Sequence, residues 1–123
     1  HGNPVLQCLH SLNPFDTAAV TAIQCGPILN THDSIRDFVV ALGSEKGNIQ
    51  VWKITSDIQQ NGEKMECSVD STVMDMVGDK YCHGAAVKRL RWQPQSTSND
   101  SLLLASCSED TSVRLFRVKL STP

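Results

Sequence analysis

Seventeen consecutive residues of this chain recur further along without a gap. Residues 38–54 align with residues 102–118 at a constant offset of 64: Ala41 with Ala105, Ser44 with Ser108, Glu45 with Glu109, Trp52 with Phe116. Upstream, Val20 aligns with Val87 at an offset of 67, so the intervening loops differ by three residues. A repeat of this size marks one supersecondary unit built twice, and such units bury their apolar faces by stacking on each other. At 123 residues the chain has room for one small core and not for two independent ones.

Each unit contains three strand-like runs, short, rich in Val, Ile and Leu, and bounded by turn residues. They fall at residues 19–23, 38–42 and 49–54, and again at 86–92, 102–105 and 113–118. The middle runs are continuously apolar, which suits strands covered on both faces. The third runs alternate: Ile49 and Val51 oppose Gln50 and Trp52, and Val113 and Leu115 oppose Arg114 and Phe116. Lys46-Gly47-Asn48 forms a tight turn, with Gly47 free to take positive φ. Its equivalent runs from Glu109 to Ser112, with Asp110 able to bond its own turn backbone. Further strands are expected at residues 5–9 and 64–69. The stretch Thr55–Cys82 reads as polar, acidic and irregular, with room for an outer strand plus a loop, and residues 93–100 as a polar hairpin loop. The best helical segment, residues 57–64, is spoiled by Gly62. The fold class is therefore all-β.

Charge and cysteines narrow the functional classes. The net charge of −2 argues against a wholly basic nucleic-acid binder. Yet residues 1–85 carry five basic and ten acidic groups, while residues 86–123 carry six and three. No apolar run approaches the 18 residues of a spanning helix, and no secretory leader pattern is visible. No membrane partner is expected. The five cysteines, Cys8, Cys25, Cys67, Cys82 and Cys107, are odd in number and show no CxxC spacing. They read as free thiols in a reducing compartment, the cytosol and also the nucleus. Neither a metal site nor a cofactor is expected: Cys82 and His83 are adjacent, but no second close pair exists. The acidic Asp70, Asp75 and Asp79 lack the calcium-loop pattern, and Gly43 and Gly47 lack the Lys and Ser/Thr of a phosphate loop.

The second unit resembles the WD40 repeat of β-propellers. His83 precedes Val87 by four, and Leu104-Ala105-Ser106-Cys107-Ser108-Glu109-Asp110-Thr111-Ser112-Val113-Arg114-Leu115-Phe116 follows that repeat's second strand, turn and third strand. The resemblance implies a buried hydrogen-bonded network of His83, Ser106 and Asp110. Phe116 stands where the repeat has Trp, so the network would end at Ser106. Cys82 stands where Gly is usual before the His. The first unit has Trp52 but places Lys46 at the Asp position and Leu42 at the Ser position, so it would have the packing without the network. Residues 15–22 and 38–49, then 85–92, 105–110 and the chain end five residues after Val118, are similar to the C-terminal end of the second-subunit family of the Elongator complex. On that resemblance the chain is a propeller fragment of about two four-stranded antiparallel blades, the last two of a ring. Residues 1–82 would form the penultimate blade with a flanking outer strand and an acidic insertion loop. Residues 83–123 would form the final blade, incomplete without an outer strand from elsewhere in the ring. A first residue of His1 rather than Met fits a fragment.

The function this implies is a non-catalytic scaffold whose partners are the other Elongator subunits, including the catalytic one, in support of tRNA wobble-uridine modification. A WD40 adaptor of another assembly, such as a ubiquitin ligase substrate receptor, is the competing interaction role. His83, Ser106 and Asp110 also match a catalytic triad in residue type. Ser106 sits mid-strand, however, with no nucleophile elbow around it, and a structural network is the favoured reading. Lys88, Arg89 and Arg91, with Arg114, Arg117 and Lys119, make the last unit basic, a candidate contact for a partner or a weak one for tRNA. Aromatic residues at 5% leave little for base stacking, so solvated rims and ion pairs are the favoured reading there.

Overall fold

A computed structural model describes residues 6–94 and 101–120. Two antiparallel sheets lie face to face. The first has four strands in sequence order: β1 (Val20–His32), β2 (Ile35–Ser44), β3 (Ile49–Asn61) and β4 (Lys64–Met76). A 3-10 turn at Asp79–Tyr81 leads to the second, three-stranded sheet of β5 (Val87–Trp92), β6 (Ser101–Ser108) and β7 (Val113–Lys119). This is the architecture of a partial β-propeller, all-β with almost no helix.

The repeat is visible bond by bond. In the first sheet Gly47 N–H donates to Ser44 O (3.1 Å), Ser44 N–H to Asn48 O (2.9 Å) and Glu45 N–H to Ala19 O (3.0 Å). In the second, Thr111 N–H donates to Ser108 O (3.1 Å), Ser108 N–H to Ser112 O (3.3 Å) and Glu109 N–H to Ala86 O (3.0 Å). Both turns need one residue in the left-handed region, and Gly47 (φ 94°) and Thr111 (φ 70°) occupy it. The first strands carry the same irregularity, a register shift between Val20 and Ala22 in β1 and between Val87 and Arg89 in β5. The shift puts Val87 and Leu90, three residues apart, on one face.

The core lies between the sheets. Ala22, Val39, Ala41, Ile49 and Val51 from the first meet Val87, Leu90, Leu102, Leu104 and Val118 from the second. Gly47 is required here twice over. Its φ is left-handed, and a Cβ would stand 2.0 Å from the carbonyl oxygen of His83. Gly26 also has no room for a side chain, because a Cβ would lie 2.4 Å from Val39 Cγ2 and 3.0 Å from Trp92 Nε1.

Several expected boundaries shift. The loop expected after residue 23 is strand, because β1 runs on to His32 and turns back at Asp33 and Ser34. Gly26 and Pro27 read as loop residues, yet they sit at a break in register on an edge strand, where Pro removes no needed donor. The irregular stretch and acidic loop expected within Thr55–Cys82 are instead mostly β3 and β4, paired without interruption from Thr55↔Asp70 to Asn61↔Lys64. The weak helix at 57–64 is the tip of that hairpin, with Gly62 at φ 66° making the turn. The strand expected at 64–69 reaches Met76. Residues 6–9 of the strand expected at 5–9 are not in a strand, and residue 5 lies outside the described residues, as do 95–100 of the expected polar loop.

Candidate functional site

The segment after the 3-10 turn delivers His83 to the junction of the sheets. Its backbone N–H donates to Gly47 O (3.1 Å), tying it to the β2–β3 turn of the first sheet, while its ring enters the second. Nε2 lies 2.7 Å from Ser106 Oγ on β6. Nδ1 lies 2.9 Å from Asp110 Oδ2 and 3.0 Å from Ser112 Oγ in the β6–β7 turn. A carboxylate facing Nδ1 assigns the proton there, which leaves Nε2 to accept from the Ser106 hydroxyl.

Asp110 is held from several sides. Gly84 N–H donates to Oδ2 (2.9 Å), and Ser112 donates to Oδ1 from both its N–H (2.8 Å) and its hydroxyl (2.6 Å). These bonds hold its carboxyl well below the usual carboxylate range. The Ser112 hydroxyl contributes most, partial desolvation opposes it, and the backbone donors and His83 add to it. Among the described residues the chain of bonds runs Ser112, Asp110, His83, Ser106 and stops, since Phe116 offers no donor.

The sequence reading brings His83, Ser106 and Asp110 to this junction but misses Ser112. The available signal was the two-residue spacing from Asp110, which suits an Asx-type turn. The first sheet has no such network. There Ser44 Oγ accepts from the N–H groups of Lys46 (3.2 Å) and Asn48 (3.0 Å), and the positions of Ser106 and Asp110 hold Leu42 and Lys46.

Ser, His and carboxylate in line have the order of a hydrolytic triad, but the environment is wrong for attack. Ser106 is 2% exposed and His83 3%, and Ser106 pairs with Leu90 on one side and Arg114 on the other in mid-sheet. A substrate carbonyl has no route to Oγ. The arrangement can instead pin the β6–β7 turn and the segment before β5 to the sheet interior. Losing one partner would strand a buried polar group at roughly 1–3 kcal/mol.

The basic residues do not form one patch. Lys88 Nζ lies 3.2 Å from Glu109 Oε1, with both side chains more than half exposed. Arg89 and Arg91 are exposed and form no ion pair among the described residues. Arg114 turns to the inner face, where it donates to Tyr81 O (2.9 Å), and Arg117 lies across from Leu103 on the outer face. All five cysteines are free. Among the described residues no cluster has metal-binding geometry, and no helix is long and apolar enough to cross a membrane.

No family model and no solved structure matches the chain. Three curated proteins do, and all bear one name. The chain is similar to Elongator complex protein 2 of Dictyostelium discoideum, 31% identical over 86 residues that cover 68% of this chain and 9% of that protein. It is 28% identical over 121 residues to Elongator complex protein 2 of Rattus norvegicus and 30% over 124 residues to that of Homo sapiens. Each of these two matches covers 89% of this chain and 14% of the relative. The chain thus spans about a seventh or less of the relatives it matches.

Proposed function

We propose that this chain belongs to an Elongator subunit and acts there as a non-catalytic scaffold of WD40 type. It would support tRNA wobble-uridine modification that another subunit catalyses. The observation that carries this reading is the likeness, across up to 89% of the chain, to three proteins all named Elongator complex protein 2. The fold agrees with it: stacked antiparallel sheets are rigid, and their turns present side chains to partners. The buried network agrees as well, because it joins backbone segments and faces no substrate cavity. On this reading the protein works in the cytosol or nucleus, where its five thiols stay reduced.

The test is purification of the tagged intact protein at moderate salt, with mass spectrometry of what accompanies it. The catalytic Elongator subunit should appear in near-equal amount. Its absence, or recovery of a ubiquitin-ligase core instead, removes the proposal. The non-catalytic part has its own check. An acylating serine probe should leave Ser106 unlabelled in the folded protein, and labelling there would make the site an enzyme's.

A further inference from the structure

Strand register sorts the side chains of the second sheet onto two faces. Leu90, Leu102, Leu104 and Val118 point at the first sheet and are buried. The opposite face holds the rows Arg89–Cys107–Val113 and Arg91–Ala105–Leu115, then Leu103 beside Arg117 and Ser101 beside Lys119. An apolar block is thus bounded by Arg89 and Arg91 along β5 and by Arg117 and Lys119 at the far end of β7. The two borders are two strand spacings, about 10 Å, apart. Leu103, Val113 and Leu115 are exposed, as are all four cations. None of the four has an ion pair among the described residues, and β5, β6 and β7 contain no Asp or Glu.

The first sheet shows what such a face accommodates. By the repeat, Leu103, Ala105, Val113 and Leu115 correspond to Val39, Ala41, Ile49 and Val51, which are buried because the second sheet packs on them. The cations break the correspondence. Arg89 and Arg91 stand for Ala22 and Gln24, so packing of this face does not require them. An apolar centre with arginines at its rim is the composition of a protein contact surface.

A second copy of the chain does not fit this face. A copy would offer the uncovered side of its first sheet, where Leu12 and Pro14 lie beside Ile23, Val40, Leu42 and Trp52. No carboxylate lines that groove. Stacking there would take the cations out of water without a counter-charge, which strongly opposes association. A nucleic acid fits poorly as well. Its phosphates would satisfy the cations but leave the apolar block wet, and the face has no aromatic ring for bases to stack on. Carboxylates set around an apolar centre satisfy both parts, through charge-assisted bonds to the guanidinium forks.

We infer that the outer face of the second sheet docks a protein surface from outside this chain, apolar at its centre and carrying carboxylates opposite Arg89, Arg91 and Arg117. The inference rests on the scaffold reading of the chain but not on its place in Elongator.

Carbodiimide coupling tests it, on the intact protein purified with its bound proteins at moderate salt. The reagent joins an amine to a carboxylate in direct contact, so Arg89→Lys and Arg117→Lys supply amines and keep the charge. Peptide mass spectrometry should find both lysines joined to Asp or Glu outside residues 1–123. The Lys88–Glu109 pair, at 3.2 Å, should couple in every sample and is the internal control. In the unsubstituted protein, an arginine-selective dicarbonyl should modify Arg89, Arg91 and Arg117 at least about tenfold more slowly than after unfolding in urea. Arg89→Glu with Arg117→Glu should abolish that protection at Arg91; if this variant fails to fold, the lysine variants and the unsubstituted protein carry the test. Lysines that stay uncoupled while the control couples overturn the inference. Coupling only to this chain's own carboxylates overturns it too, as does protection that nuclease removes. Recovery of the catalytic Elongator subunit with the face uncoupled and reactive leaves the scaffold reading standing and removes this inference alone. Coupling to a protein that is not an Elongator subunit supports the inference and removes the Elongator assignment.

Discussion

The two sheets share a turn, a register shift and a run of sequence, yet they end up in different surroundings. In the first, Ile49 and Val51 are buried at 0% and 3% exposure against the second sheet. Their equivalents Val113 and Leu115 remain 71% and 65% exposed. The reason is position. Each sheet turns the same face in the same direction, and only the first has a neighbour there. β1 and β5 show the converse: Val87 and Leu90 are buried against the first sheet, while their equivalents Val20 and Ile23 face away from the second and are exposed. Burial is thus a property of what stands beside a strand, while the repeat specifies only which face would receive it. The second lesson concerns polar groups. Both turns use the equivalent serine, Ser44 accepting from Lys46 N–H and Ser108 from Asp110 N–H, and the second sheet adds to it the network of Ser112, Asp110, His83 and Ser106.

The largest expected effect breaks the shared interface. Leu104→Ala removes a fully buried side chain and should lower stability by about 2–5 kcal/mol in urea unfolding. Leu115→Ala, across the sheet, should cost less than about 1 kcal/mol. Equal losses would show that the outer face is covered in solution. Next comes the turn. Gly47→Ala forces a left-handed Ala against the His83 carbonyl and should cost more than the roughly 1–2 kcal/mol of the backbone term alone. Gly62→Ala, with a similar φ but open space around it, should pay only that term. A smaller or equal loss at Gly47 would mean that the sheets part easily there.

The network is the third point of comparison. Ser106→Ala leaves His83 Nε2 buried without its donor and should cost roughly 1–3 kcal/mol by the same assay. No loss would mean that water or the fold replaces the bond. The pH dependence follows from Asp110. Its carboxyl is depressed in the folded state, so its stabilisation is complete above the ordinary carboxylate value near 4 and is lost as the pH falls below that. Asp110→Asn should therefore weaken the protein at neutral pH and converge with the wild type in acid. Parallel curves would exclude the carboxylate as the source. The smallest effect belongs to the exposed Lys88–Glu109 pair, where Lys88→Ala should change stability by less than about 1 kcal/mol and less still in high salt.

Much of this was legible in the chain. The ungapped repeat, the apolar middle strands and the turn residues place six of the seven strands, and the resemblance to the WD40 repeat joins His83, Ser106 and Asp110. What was not legible has physical causes. Gly26 and Pro27 look like a loop, but an edge strand absorbs them at a break in register. The acidic residues of 55–76 look like a solvated insertion, but two long edge-side strands can be polar on exposed faces and still pair fully. Ser112 escaped because its role depends on how the turn folds Asp110 back toward His83.

The sequence by itself determined the local order: where the strands lie, which residues alternate, and which turn closes each hairpin. These follow from backbone sterics and side-chain period, and they need no neighbour to be expressed. The tertiary structure alone decided which of two equivalent faces is buried, that Ser112 joins Ser106 in the network, and which basic side chains find a partner. Those outcomes depend on distances between residues far apart in the chain, set only when one sheet packs on the other.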